Sequence, residues 1–121
     1  MTTALVSKIP ASPPGTLYVY RATIERLIDG DTVCARVDLG FSTWRTEKFR
    51  LAHINTPEMN TLGGHISKEF VTTWTAKQKT FTFYSKGQDK YGRWVAVIWG
   101  DDLTISLNQL LLDADLAIAY L

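Results

Sequence analysis

Hydrophobic and polar residues alternate with period two from Leu17 onward. Tyr20, Ala22 and Ile24 interleave with Arg21, Thr23 and Glu25, which predicts a half-buried strand. Asp29-Gly30 is a turn pair, and a second strand follows at once. In that strand Val33, Ala35, Val37 and Leu39 share one face, and Thr32, Cys34, Arg36 and Asp38 share the other, up to Gly40. A third strand is expected from about Thr46 to Ile54, with Phe49, Leu51 and His53 on one face and Lys48 and Arg50 on the opposite one. Thr56-Pro57 breaks the ladder, because proline donates no hydrogen bond.

After Gly63-Gly64 the period lengthens to that of a helix of about three turns. Ile66, Phe70, Val71 and Trp74 form the expected buried stripe, with Ser67, Lys68, Thr72 and Thr75 turned away from it. Phe81 and Phe83 alternate with Thr82 and Tyr84 in a fourth strand. A polar loop from Gly87 to Gly92 leads to the apolar run Trp94–Trp99, fit for a strand covered on both sides. Ser106 and Gln109 stand at capping-box spacing before a last helix that buries Leu107, Leu110 and Leu111. The order β-β-β-α-β-β-α predicts a mainly β, α+β fold: a small closed five-stranded barrel with helices against it.

Composition narrows the class. With 121 residues there is room for one domain. Residues 1–16, with Ser12, Pro13, Pro14 and Gly15, read as a flexible arm, and 17–121 as the folded domain. Thirteen Lys and Arg against twelve Asp and Glu leave a net charge of +1, so binding to a polyanion requires a local cluster. The single cysteine, Cys34, excludes an intrachain disulfide and a cysteine-rich zinc site. No apolar run is long enough to span a bilayer and no secretory leader is apparent, so a cytoplasmic protein without membrane partners is expected.

Three polar clusters fall at predicted strand ends: Asp29-Gly30-Asp31-Thr32, Arg50 with Asn55-Thr56-Pro57-Glu58, and Asp89-Lys90-Tyr91-Gly92-Arg93. Each alone is an ordinary turn or loop sequence. Together they supply what phosphodiester hydrolysis needs. Asp31 provides a hard oxygen for a cation, Glu58 a base for water, and Arg50 and Arg93 planar forks for phosphate oxygens. His53 and His65 complete no metal-ligand spacing. Trp74, Trp94 and Trp99 lie on apolar faces and read as core, whereas Trp44, in the polar Ser42–Arg45 connection, is the expected exposed aromatic.

Ile28-Asp29-Gly30-Asp31-Thr32-Val33, Phe49-Arg50-Leu51, Thr56-Pro57-Glu58 and Asp89-Lys90-Tyr91-Gly92-Arg93 resemble, in order and spacing, the staphylococcal nuclease (thermonuclease) family. The resemblance spans roughly Arg21 to Tyr120. It implies an oligonucleotide-binding (OB) barrel with two flanking helices that hydrolyses DNA and/or RNA with Ca2+, Mg2+ or Mn2+ being alternatives. Carried over by residue, it makes Asp31 and the Thr56 carbonyl calcium ligands, Glu58 the general base, and Arg50 and Arg93 the phosphate-binding pair. Lys90 and Tyr91 match positions near a terminal phosphate, and Tyr120 a tyrosine near the base.

The chain departs from that pattern in three respects. Asn55 stands where the staphylococcal enzyme has a second carboxylate ligand, which predicts weaker calcium binding. The loop after Glu58 is short and lacks that enzyme's lysines. The sequence ends at Leu121, as in a compact relative of the kind met in phage and plasmid genomes. A monomer is expected, and the competing reading is a barrel that has lost catalysis and binds nucleic acid or a protein partner.

Overall fold

The computed structural model describes residues 8–15 and 17–120. Strand β1 (Val19–Asp29), β2 (Thr32–Asp38), β3 (Trp44–Leu51), β5 (Phe81–Gln88) and β6 (Trp94–Trp99) close a barrel in the order β1-β2-β3-β6-β5. A two-stranded ribbon, β4 (Ile54–Asn55) with β7 (Ile118–Ala119), lies beside it, and the helices are α1 (Leu62–Ala76) and α2 (Leu107–Asp113). The expected barrel class and helix order are therefore observed.

Alternation sets which residues enter the barrel. Val33, Ala35, Phe49, Leu51, Phe83, Ala96 and Ile98 are buried, and the Phe49 and Phe83 rings meet edge to face at 5.0 Å between centroids. One pairing is parallel: β3 runs beside β6 with Phe49 opposite Trp94, Arg50 opposite Val95 and Leu51 opposite Ala96. It brings two segments about forty-five residues apart in sequence to one barrel edge, and the remaining barrel pairings are antiparallel.

The third strand ends earlier than its alternation suggests. The Leu51 amide donates to the Asp31 carbonyl and the Ala52 amide to the Ala96 carbonyl, both at 2.8 Å. The chain then turns through His53 at φ +66° into β4. His53 therefore sits in a turn, off the Phe49 and Leu51 face where alternation placed it. Its amide-to-carbonyl unit anchors the chain end, since its carbonyl accepts from the Tyr120 amide at 2.8 Å.

Helix α1 begins before the glycine pair and is one turn longer than expected. Thr61 caps it, its Oγ1 accepting from the Gly64 amide at 3.1 Å. Gly64 is required in the first turn because a Cβ there would lie 2.0 Å from the Glu58 carbonyl oxygen. The buried line is Gly64, Ser67 and Val71, with Phe70 and Trp74 beside it, whereas Ile66 is 45% exposed. Ser67, predicted to face away, is fully buried because its hydroxyl donates to the Leu116 carbonyl at 2.7 Å. Gly30 packs against the same spot, where an added Cβ would fall 2.9 Å from both the Ser67 Cβ and the Thr56 Oγ1. The glycine of the Asp29-Gly30 pair thus serves close approach of the β1–β2 turn to α1.

Trp44 lies in β3 and not in a connection, and Phe41 and Tyr91 are more exposed than it is. Part of the expected N-terminal arm falls on residues 1–7 and 16, outside those described. Within 8–15, Ile9 is buried in the core and the Ala11 carbonyl accepts from the Trp99 indole Nε1 at 2.8 Å. Among the described residues no helix is long and apolar enough to cross a membrane.

Candidate functional site

The parallel β3–β6 edge, the β4–α1 loop and the β5–β6 loop surround a cleft of about 850 Å³. Of the nine residues selected from the sequence, Arg50, Asn55, Glu58, Lys90, Tyr91, Arg93 and Tyr120 line it. Asp31 and Thr56 do not line it, but they are bonded to its wall. The Asp31 Oδ2 accepts from the Thr56 amide at 3.0 Å and lies 3.4 Å from an Arg50 Nη2. Arg50 and Arg93 thus share one side of the barrel because β3 and β6 are neighbours.

Arg50 is held on three sides. One guanidinium nitrogen donates to the Leu51 carbonyl at 2.7 Å, and the other to the Asn55 Oδ1 and toward Asp31. The Asp31 carboxylate is buried, which by itself would raise its pKa. The hydrogen bonds from the Asp29 carboxyl and the Thr56 amide, with the Arg50 charge, outweigh that and hold it below the usual value. Burial and the neighbouring Asp31 push Asp29 up in turn. The pair keeps one strongly ionised carboxylate, Asp31, at the foot of Arg50.

Arg93 has its own holder, Asp89. The Asp89 Oδ2 accepts from Arg93 Nε at 2.8 Å, and its Oδ1 accepts from the backbone amides of Tyr91 and Arg93 at 2.9 and 3.0 Å. Partial desolvation opposes ionisation of Asp89, but these donors hold its pKa low. This positioning role had a local signal, since an aspartate two and four residues before its partners is the Asx-turn pattern. The Tyr91 ring lies 5.3 Å from the Arg93 guanidinium carbon and 5.4 Å from Lys90 Nζ. His53 also lines the cleft, and burial, with Lys8 nearby, lowers its pKa. Nothing in the strand pattern placed it there.

Glu58 is exposed at the rim, on a loop fixed by Thr61, whose Oγ1 and amide both donate to the Glu58 carbonyl, at 2.6 and 3.0 Å. Among the described residues its carboxylate has no hydrogen-bond donor, so it is open to a solvent molecule in the cleft.

For a divalent cation, the donors at hand are oxygens: the Asp31 carboxylate, the Asn55 amide oxygen and the Thr56 carbonyl. Such hard donors suit calcium, magnesium or manganese. Among the described residues no three His, Cys, Asp or Glu side chains gather as a metal cluster, and of the three donors named only Asp31 is ionisable. Their chemistry suits a hard cation, and in this structure the Arg50 guanidinium lies on the Asp31 and Asn55 oxygens.

A closed five-stranded β-barrel with two helices against it and a cleft at its parallel β3–β6 edge is of the oligonucleotide-binding type. The model of the staphylococcal nuclease homologue family matches residues 48–121, and the chain belongs to that family. No curated protein matches the chain.

The Asp89 clamp gives a direct prediction. Asp89→Ala frees Arg93 to sample other rotamers while leaving its charge in place. Activity on nucleic acid is expected to fall by about tenfold or more through loss of orientation. Added guanidinium should not restore it, whereas Arg93→Ala should shrink the effect of a further Asp89→Ala change to what the loss of its bonds to the Tyr91 and Arg93 amides leaves. Additive losses in the double variant, measured by cleavage rate, would show that Asp89 acts on its own.

Proposed function

We propose that the protein is a metal-dependent phosphodiesterase that cleaves DNA and/or RNA as a monomer. The observation that carries this reading is the convergence of Arg50, Asn55, Glu58, Lys90, Tyr91, Arg93 and Tyr120 on one cleft, with Asp31 bonded to its wall. Asp31, Asn55 and the Thr56 carbonyl would hold the cation, calcium first, with magnesium or manganese in its place. When bound, the cation supplies Lewis-acid stabilisation of charge on the phosphate. Glu58 takes a proton from the attacking water. Arg50 and Arg93 hold the phosphoryl oxygens, and their fixed forks stabilise charge as it develops. Lys90 and Tyr91 meet a neighbouring phosphate, and Tyr120 flanks a base at the exposed end of the cleft.

One observation favours a second reading, a weakened module that binds nucleic acid without cutting it. Arg50 already spans the oxygens of Asp31 and Asn55. A cation at those oxygens requires that the guanidinium turn toward phosphate. The deciding experiment incubates the protein with plasmid, single-stranded DNA and RNA in calcium, magnesium, manganese or EDTA. Cleavage that EDTA abolishes supports the enzyme, and retention of all substrates under every metal supports the module.

Asn55→Asp tests the ligand set. Restoring a carboxylate adds a unit of ligand charge and gives Arg50 a second anion to leave, two effects of opposite sign. Ligand charge count dominates affinity in oxygen sites, so calcium binding should tighten severalfold by calorimetry, and the calcium midpoint of cleavage should fall. The rate at saturating calcium need not rise, because ground-state binding alone does not stabilise the transition state. An unchanged midpoint at fixed salt would remove Asn55 from the ligand set.

A further inference from the structure

The inner face of β3 does not stay apolar along its whole length. Val33, Ala35 and Val37 point into the barrel, and their register partners on β3 are Phe49, Glu47 and Arg45. Glu47 and Arg45 therefore stand at core-facing positions, where alternation alone calls for apolar side chains. There they pair with each other, the Glu47 side chain 25% exposed and that of Arg45 62%. The aliphatic filling of the barrel stops short of this end. Beside the ion pair lies a cavity of about 160 Å³, walled by Tyr20, Val37, Leu39, Phe49 and Phe83. A space of about 150 Å³ holds one benzene-sized ring.

Two residues on the wall of this cavity carry polar atoms with no partner. Ser85 is 8% exposed and continues the inward face of β5 after Phe81 and Phe83. Its Oγ is buried without a hydrogen bond, and so is the Trp94 Nε1 on the neighbouring β6. Among the described residues the Thr75 Oγ1 is the one other side-chain atom in that condition, so two of the three gather at a single cavity. Buried donors without partners are rare in native proteins, and a pair of them beside one space points to a group that meets both. An indole N–H can only donate, whereas a serine hydroxyl donates and accepts. The group that satisfies both is an oxygen carrying a proton. At the mouth Arg45 and Glu47 cancel each other's charge, so a neutral molecule leaves no ion unpaired there.

We propose that this end of the barrel binds a neutral single-ring aromatic molecule bearing a hydroxyl, about the size of phenol. The ring fills the space against Val37, Phe49 and Phe83. Its oxygen accepts from the Trp94 Nε1 and donates to the Ser85 Oγ. Small-ligand sites recur at barrel mouths for this reason, apolar walls with a few convergent polar groups. The cavity shares no lining residue with the cleft, so the site does not depend on what the cleft cleaves.

The test titrates the full chain with phenol and, separately, with benzene, followed by the indole and amide signals in NMR spectra. Phenol is expected to saturate at about millimolar concentration or below, and to bind severalfold more tightly than benzene. A purely apolar void orders the two the other way, because it strips water from the hydroxyl and returns nothing. The Trp94 indole signal, assigned through Trp94→Phe, should move downfield with phenol and not with benzene. Ser85→Ala and Trp94→Phe should each reduce the preference for phenol over benzene by about 2–10-fold. Without ligand, Ser85→Ala should leave the melting temperature level or raise it, since no bond is lost with the hydroxyl. Leu39→Trp, placed at the half-exposed rim, fills the space and should abolish binding of both. If Trp94→Phe melts early, Ser85→Ala decides alone. The site is overturned if phenol does not saturate, if benzene binds as tightly, or if either ligand binds Leu39→Trp as it binds wild type. A fall in melting temperature with Ser85→Ala would overturn it too, because the hydroxyl would then have a partner within the protein.

Discussion

Glu58→Gln is expected to lower the cleavage rate by about 10²–10⁴-fold, the usual loss when a positioned base is removed. The amide keeps the size of the side chain and cannot accept the water proton. The loop that carries it is set by backbone contacts, the Thr61 hydroxyl and amide on the Glu58 carbonyl and the close approach of Gly64, and the substitution touches neither. The side chain is exposed and its carboxylate has no donor among the described residues, so stability should stay within about 0.5 kcal/mol. Single-strand affinity in EDTA should likewise hold. A rate equal to wild type, at saturating metal, would take the base role away from Glu58.

Asn108→Ala should produce the largest loss of stability. Asn108 is fully buried at the start of α2, next to a neighbouring strand and a turn. Its Nδ2 donates to the carbonyls of Ala52 and Ala96 at 3.0 and 3.1 Å, and its Oδ1 accepts from the Ile98 amide at 3.1 Å. These bonds tie α2, β6 and the end of β3 together below the cleft. Ala96 retains a second donor in the Ala52 amide, but the Ile98 amide and the Ala52 carbonyl lose the partner that Asn108 supplies. Each buried orphan costs about 1–3 kcal/mol, so a total of about 3–5 kcal/mol is expected. Against a typical stability of about 5–15 kcal/mol, that lowers the melting temperature by roughly 10–20 °C. Asn108→Asp separates bonding from volume. The carboxylate cannot donate at neutral pH, so this variant should be destabilised too and should recover in part as acid restores a donor. A melting temperature unaffected by either change would mean that the three bonds contribute nothing net.

Much of the fold is legible because each strand solves a local problem. Val33, Ala35 and Val37 point inward, and the residues between them point outward, whatever strand lies alongside. The element order follows from that, and so does the barrel, since five short strands with polar outer faces avoid open edges by closing. Local reading fails where a non-local bond overrides the pattern. Ser67 looks polar and outward, yet it is buried because a carbonyl forty-nine residues away accepts its proton. The third strand looks longer than it is, because the Ala96 carbonyl and Asn108 capture its end.

The sequence by itself determined the five barrel strands in outline, the two helices and the polar clusters at their ends, but not the β4–β7 ribbon, since hydrophobic period and turn chemistry act over a few residues. Only the tertiary structure decided that Arg50 and Arg93 face the same cleft, that Arg50 bridges Asp31 and Asn55, and that Asp89 clamps Arg93 within that wall. The deciding feature is the parallel pairing of β3 with β6, fixed when the whole barrel closes and its core is filled. No short window of sequence carries that information, because the free energy that selects the pairing is spread over every strand it joins.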